Sequence, residues 1–212
     1  MIKTIIFDFD GVILDSNKIK GDTFGELFSK YGKEIKNKVI DYHYNNLGIS
    51  RYNKFKFFYK NYLQEKIDNK QIEKLSEDFS EISFNKIINV NFIKGAYGFI
   101  SKNYNNYSFH ISSATPEKEL VRICKKRKIL SYFKTINGSP KTKDIHIKSI
   151  LKNAKLIKNQ VIFIGDSKND FEAAKKSNIR YINVGKNKII NNYNKYHQIK
   201  NLMKLLNLIK KL

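Results

Sequence analysis

Two aspartates two residues apart close an apolar run near the start of the chain: Thr4-Ile5-Ile6-Phe7-Asp8-Phe9-Asp10-Gly11-Val12. Such a run reads as a buried parallel strand. A burying strand has no structural use for two charges at its end, because unpaired buried carboxylates are costly. In a strand, residues i and i+2 share a face, so Asp8 and Asp10 are expected to start out pointing the same way. A second run, Gln160-Val161-Ile162-Phe163-Ile164-Gly165-Asp166-Ser167-Lys168-Asn169-Asp170, also ends in acids. Two strands that each end in a carboxylate pair suggest neighbours sharing one site, at the carboxyl ends where open α/β sheets bind ligands. The chemistry such a site suits is a hard divalent cation with a phosphoryl group. The plainer alternative makes Asp and Gly turn formers, with Ser167 or Asp166 a helix cap.

Two weaker segments lie between these. Ser108-Phe109-His110-Ile111-Ser112-Ser113-Ala114-Thr115-Pro116-Glu117 reads as a strand ending in small hydroxyl residues, then a helix start with Pro in its first turn. A hydroxyl and free N–H groups there make a phosphate cradle, or only an N-cap. Gly138-Ser139-Pro140-Lys141-Thr142-Lys143-Asp144 is a turn with two lysines before a helix marked by Ile145, Ile147, Ile150 and Leu151.

The elements that must position these residues are legible in outline. Residues 16–91 show helical spacings: Phe24, Leu27, Phe28, Tyr31; Tyr52, Phe55, Phe58, Tyr59, Tyr62, Leu63; Ile72, Leu75, Phe79, Ile82. They predict a bundle of about four helices with aromatic stripes as its core. After Asn91 the pattern becomes a helix near 92–103 and strands near 107–112, 133–137, 159–164 and 180–184. With the first strand these make five, consistent with a three-layer parallel sheet. Ile199, Leu202, Met203, Leu205, Leu206 and Ile209 read as an amphipathic terminal helix. Asn191, Asn192 and Asn194 read as a mobile loop, and Gly21 and Gly25 as loosening the first helix of the bundle.

The order Asp-Phe-Asp-Gly-Val, strand-Ser, loop Lys, Gly-Asp-Ser-x-x-x-Asp closely resembles the haloacid-dehalogenase-like (HAD) hydrolase superfamily, from about residue 3 to residue 185. The resemblance lies in its branch of phosphoglycolate phosphatases and β-phosphoglucomutases. It implies an α/β fold, with a three-layer Rossmann-like core of five parallel strands in residues 1–15 plus 92–212. Residues 16–91 would be an inserted helical-bundle cap of type 1. It also implies roles. Asp8 matches the nucleophile that becomes an aspartyl-phosphate, and Asp10 the general acid/base. Ser113 matches the phosphoryl-binding hydroxyl, with Ser112 the other choice. Lys143 matches the neutralising lysine, with Lys141 the competitor, since the usual Lys-Pro order is replaced by Pro-Lys-Thr-Lys. Asp166 matches a Mg²⁺ ligand beside the Asp8 side chain and the Asp10 carbonyl, and Asp170 a further ligand or an acid behind the ligands. Gly11 and Ala114 are further substrate-binding positions. In Leu47-Gly48-Ile49-Ser50-Arg51, Ser50 and Arg51 would grip a distal anionic or sugar group, as a Gly-x-Ser-Arg turn does in related caps. The alternative there is an N-cap serine with a solvated arginine.

Departures narrow the chemistry that the resemblance implies. Dehalogenases lack the second Asp, and phosphonatases replace it and use a cap lysine; Asp10 argues against both. A mutase would place a hinge His near Lys20, where there is none. The expected function is Mg²⁺-dependent hydrolysis of a small phosphomonoester, a sugar phosphate or related metabolite. A phosphomutase is the nearest alternative, and a nucleic-acid-end phosphatase or nucleic-acid-binding protein the alternative of another class.

Composition sets bounds. The 212 residues, 41% apolar, suffice for one domain with an insertion. The formal charge of +22 invites a nucleic-acid reading. Only four of the 41 basic residues are Arg, the residue favoured for reading bases and clamping phosphates, and the lysines are dispersed. Nucleic acid is therefore not expected as a partner. Cys124 is the single cysteine, which suits a reducing cytosol. The first core strand begins at Thr4, leaving no room for a signal peptide, and no run of about 18 apolar residues suggests a membrane span. A cytoplasmic monomer or homodimer is expected. His43, His110, His146 and His197 show no metal-ligand spacing, and His110 reads as a hydrogen-bonded strand residue.

Overall fold

In the computed structural model, which describes residues 1–153, 157–185 and 193–212, the core is one parallel sheet. Its strands are β1 (Thr4–Phe7), β2 (Ser108–Pro116), β3 (Thr135–Ser139), β4 (Val161–Gly165), β5 (Arg180–Val184) and β6 (Tyr196–Ile199), in the order β3-β2-β1-β4-β5-β6. β1 is central: Phe7 pairs with Ile111 of β2 on one side and Ile164 of β4 on the other. The first two carboxylate motifs therefore end on adjacent strands.

Alternation along the strands divides the core in two. Ile5, Phe7, Phe109, Ile111, Ile162 and Ile164 pack on one face with α5 (Ala96–Asn103), α6 (Glu117–Lys126) and α9 (Leu205–Ile209). Ile6, Val161 and Phe163 pack on the other with α7 (Lys143–Asn153) and α8 (Lys168–Lys176). This is the three-layer α/β Rossmann-like arrangement expected, with a sixth strand that the sequence reading missed. β6 is short and mostly half-buried, so it lacks the apolar run of a central strand. It also takes Ile199 out of the expected terminal helix. That segment is a 3₁₀ turn at Leu202–Lys204 followed by α9. Asn194 lies in the turn before β6; Asn191 and Asn192, read as a mobile loop, lie outside the described residues.

Between β1 and α5 the chain forms α1 (Asn17–Leu27), α2 (Lys33–Asn45), α3 (Arg51–Phe58) and α4 (Asn69–Asn89). They have their own core of Phe24, Phe28, Val39, Phe55, Phe58, Tyr59, Ile72 and Phe79, all buried. The aromatic stripes are thus interior, and these rings are not free to stack on bases. Gly21 and Gly25 do not loosen α1; they let it pack tightly. A Cβ on Gly21 would press on Tyr44 and His43, and one on Gly25 would meet Ile40 Cδ1 at 2.6 Å. The two connecting segments run side by side: Asp15 N–H donates to Asn91 O at 3.0 Å and Ile93 N–H to Ile13 O at 3.0 Å.

Candidate active site

β1 stops at Phe7, so strand alternation does not extend through Asp10 and the two aspartates part company. Asp8 stays at the sheet end, where Phe9 N–H donates to its Oδ1 at 2.7 Å and Lys143 Nζ lies 3.0 Å from its Oδ2. Asp10 turns toward α1. Ser16 Oγ donates to it at 2.5 Å, Thr115 Oγ1 at 2.9 Å, and Lys20 Nζ forms a short ion pair with its Oδ2. Lys20 also donates to Thr115 at 2.6 Å. The turn between requires Gly11, with φ of +75°. Any Cβ there would run into the Asp166 carboxylate.

Asp166 follows β4, and Asn17 of α1 donates to its Oδ2 at 2.8 Å. Asp8, Asp166 and Asp170 each offer an oxygen within 4.8 Å of the others. Asp170 closes a capping box with Ser167 at the start of α8, so the capping alternative holds for Ser167. Both Asp170 oxygens have partners: Lys143 pairs with Oδ1, while in the box Ser167 Oγ donates to Oδ2 at 2.6 Å and Ser167 N–H at 3.1 Å.

Three carboxylates with one lysine leave negative charge in excess. Burial first, and Asp170 second, raise the Asp8 carboxyl well above its ordinary value. The same two causes bring Asp166 to about 7. Burial opposes the charge on Lys143, but Asp170 and Asp8 outweigh it and hold the ammonium above the usual lysine range. Burial would also raise Asp10, but the charge and hydrogen bond of Lys20, then Ser16 and Thr115, hold it below the ordinary carboxyl value. An all-oxygen, over-negative cluster fits a hard divalent cation. Asp8, Asp166 and Asp170 bring its candidate donors together.

The remaining predicted residues divide. Ser112 turns inward to His146 Nδ1 at 2.9 Å, whereas Ser113 and Ala114 line the site. Lys143 is buried between Asp8 and Asp170, whereas Lys141 is exposed. Ser50 caps α3, accepting from Asn53 N–H at 3.4 Å. Arg51 is not solvated. It is 5% exposed, bonded to Glu119 of α6 at 2.8 Å, to Ser80 at 2.8 Å and to Ser76 O at 3.1 Å, with its guanidinium over Phe79. His110 has both ring nitrogens bonded, to Ser108 and Thr135.

Two openings meet at Gly48, Ile49, Ser113 and Ala114. One is a cavity of about 40 Å³ lined by Asp8, Asp10, Asp166 and the cap residues Asn17, Lys20, His43, Arg51 and Lys54. The other is a groove of about 920 Å³ bordered by Tyr42, Phe57, Lys141, Lys143 and Asn169. Asn17, Lys20, His43 and Lys54 were missed in the sequence. The one available signal was the spacing Asn17, Lys20, Phe24, a helical stripe in which polar residues share a buried face. Lys54 also shows that the cap does carry a lysine at the site, so the departure from phosphonatases rests on Asp10.

The parallel sheet, the helical insertion after β1 and the acidic centre at the strand ends define a three-layer α/β protein with a candidate metal and phosphoryl site. The sequence profile of the haloacid dehalogenase-like hydrolases matches residues 5–184, and the chain belongs to that family. Solved structures share the fold at low identity. β-Phosphoglucomutase from Clostridium difficile is 20% identical with a TM-score of 0.80, covering 100% of this chain and 96% of that one. A predicted phosphoglycolate phosphatase from Haemophilus somnus is 15% identical with a TM-score of 0.74, covering 98% of each. CbbY from Rhodobacter sphaeroides, a mutant in complex with xylulose-(1,5)bisphosphate, is 13% identical with a TM-score of 0.77, covering 97% and 96%. No protein of curated function matches the chain.

Proposed function

We propose that this protein is a Mg²⁺-dependent phosphatase of small phosphomonoesters that works through an aspartyl-phosphate on Asp8. The observation that carries this is the Asp8 carboxylate at the end of the central strand, 3.0 Å from Lys143 and beside Asp166. Asp8 and Asp166 would hold the cation with the Asp10 carbonyl. It would screen carboxylate from phosphate and polarise the phosphoryl group.

An Asp8 oxygen attacks phosphorus while the bond to the leaving oxygen breaks. Lys143 and Ser113 hold the phosphoryl oxygens, and positioning with charge neutralisation does most of the work. Asp10 delivers a proton to the leaving oxygen. In the second step Asp10, now a carboxylate, takes a proton from water as that water attacks phosphorus and frees Asp8. Lys20 favours the carboxylate form, so it favours the second step and opposes the first. The cap side chains Asn17, Lys20 and Lys54 complete the site and exclude bulk water.

The test is phosphate release from a panel of phosphorylated metabolites, with Mg²⁺ and with EDTA, beside Asp8→Asn. Metal-dependent turnover lost in the variant is expected. No turnover of any monoester by folded protein would sink the reading, and turnover only with a sugar bisphosphate present would favour a mutase.

A further inference from the structure

The cap is pinned to the core at three places around the acidic centre. Asn17 and Lys20 of α1 reach Asp166 and Asp10, Arg51 reaches Glu119 of α6, and Leu47 O accepts from Asn169 Nδ2 at 2.8 Å. Beside Leu47, Gly48 has a φ of +78°, and a Cβ on it would lie 2.6 Å from Ser167 Oγ. The cap loop therefore sits directly on the start of α8, as only glycine allows. The cavity left beneath holds about 40 Å³, room for about three water-sized groups. A phosphoryl group between Asp8 and Ser113 takes up that space, so the leaving group must lie elsewhere.

The adjoining space is the groove, which meets the cavity between the cap loop at Gly48 and Ile49 and β2 at Ser113 and Ala114. Its 920 Å³ match sites that hold a whole small molecule rather than two or three carbons. Where the cap borders it, the wall is aromatic. Tyr42 and Phe57 stack at 4.1 Å with their rings 25° apart, and both are half-buried, unlike the enclosed rings of the cap core. Charges along the rim are mixed. Lys141 and Lys175 are exposed, but Lys176 pairs with Asp144 at 2.7 Å, and Glu172 borders the same groove. A polynucleotide backbone calls for a continuous cationic track, which this rim does not offer.

Resting on the phosphatase reading, we propose that the groove binds the leaving group and that the substrates are nucleoside monophosphates. The base lies against Tyr42 and Phe57, and the ribose bridges the gap between the cap loop and β2. A flat π-system is the ligand that an aromatic pair favours, and its stacking adds to the burial of apolar area. Hydrolysis then breaks the bond between phosphorus and the ribose oxygen. Asp10 supplies the proton to that oxygen, water supplies the fourth oxygen of the phosphate, and a nucleoside leaves through the groove.

The experiment compares esters that differ by the base alone: adenosine and uridine 5′-monophosphates against ribose 5-phosphate. Wild type should prefer the nucleotides by ~10-fold or more in kcat/KM, and Phe57→Ala should remove most of that preference. If Phe57→Ala does not fold, Phe57→Leu keeps apolar volume and removes the ring, and Tyr42→Leu does the same for its neighbour. A wild type indifferent to the base, or a preference that survives loss of either ring, overturns the proposal. So does faster turnover of a 5′-phosphorylated oligonucleotide than of the mononucleotide. Calorimetric binding of adenosine 5′-monophosphate to Asp8→Asn, with and without the Phe57 change, separates this from the hydrolytic reading. Phe57-dependent binding without turnover of any ester by wild type retires hydrolysis and keeps the groove. Turnover of ribose 5-phosphate with no gain from a base retires the groove and keeps hydrolysis.

Discussion

Removing one carboxylate from the acidic centre should stabilise the metal-free protein, by an amount that grows with pH. Burial, then Asp170, hold the Asp166 carboxyl near 7 in place of its ordinary 3.8. An acid with a raised folded pKa binds its proton more tightly when folded. Its cost is absent below the unfolded value and grows as pH climbs toward the folded one. The separation of roughly three pH units corresponds to about 4 kcal/mol. Asp8 is displaced in the same direction by burial and Asp170. Histidines work against this trend. Burial foremost brings His43 to about 3 and His110 and His146 to about 4, so their contribution rises with pH up to about 6.5. They are common to wild type and Asp166→Asn and cancel in the difference. Urea unfolding in EDTA should favour the variant by about 1 kcal/mol near pH 4.5 and about 4 kcal/mol near pH 7.5. Millimolar Mg²⁺ should narrow the difference, because a ligand of the folded state stabilises only the protein that binds it. A pH-independent difference, or a less stable variant at the higher pH in EDTA, would refute the account of an over-negative centre.

Two further outcomes follow from the cap contacts. Lys20→Met removes the cation from Asp10 and should move the limb of the kcat/KM profile set by Asp10 to higher pH by about one unit or more; a limb that stays put breaks the assignment. Arg51→Met leaves Glu119 buried and unpaired and should cost about 3–5 kcal/mol in urea unfolding. The double change Arg51→Met with Glu119→Gln should cost well under the sum of the singles, and strict additivity would show the pair is not coupled.

The core was legible because its information is local. β1 and β4 announce themselves as apolar runs ending in acids, and the sheet pairs them side by side, as the shared carboxylate pairs suggested. The choice of Ser113 over Ser112 needed the register of β2, which only the fold fixes. The choice of Lys143 over Lys141 needed the start of α7. Cap contacts were hidden for another reason. In a chain with so many lysines, identity says nothing about which ammonium is buried, so nothing in the sequence singled out Lys54 or gave Lys20 a partner. Arg51 was singled out, but its partner Glu119 is 68 residues away, and no local pattern links them. β6 escaped because an edge strand with half-buried residues carries little apolar signal.

The first cap helix joins three tasks that many enzymes keep apart. Gly21 and Gly25 seat α1 against α2, Phe24 anchors the cap interior, and Asn17 and Lys20 hold Asp166 and Asp10. All five lie within nine consecutive residues, on one rigid rod. A change that shifts the rod to improve packing also displaces the two polar contacts, and a change that retunes Asp10 disturbs the seat. The packing of this helix and the charge environment of Asp10 therefore do not vary independently along this segment. Directed evolution toward new substrates has freer ground in the groove, at Tyr42, Asn53, Phe57 and Lys141, where side chains border the opening without belonging to α1.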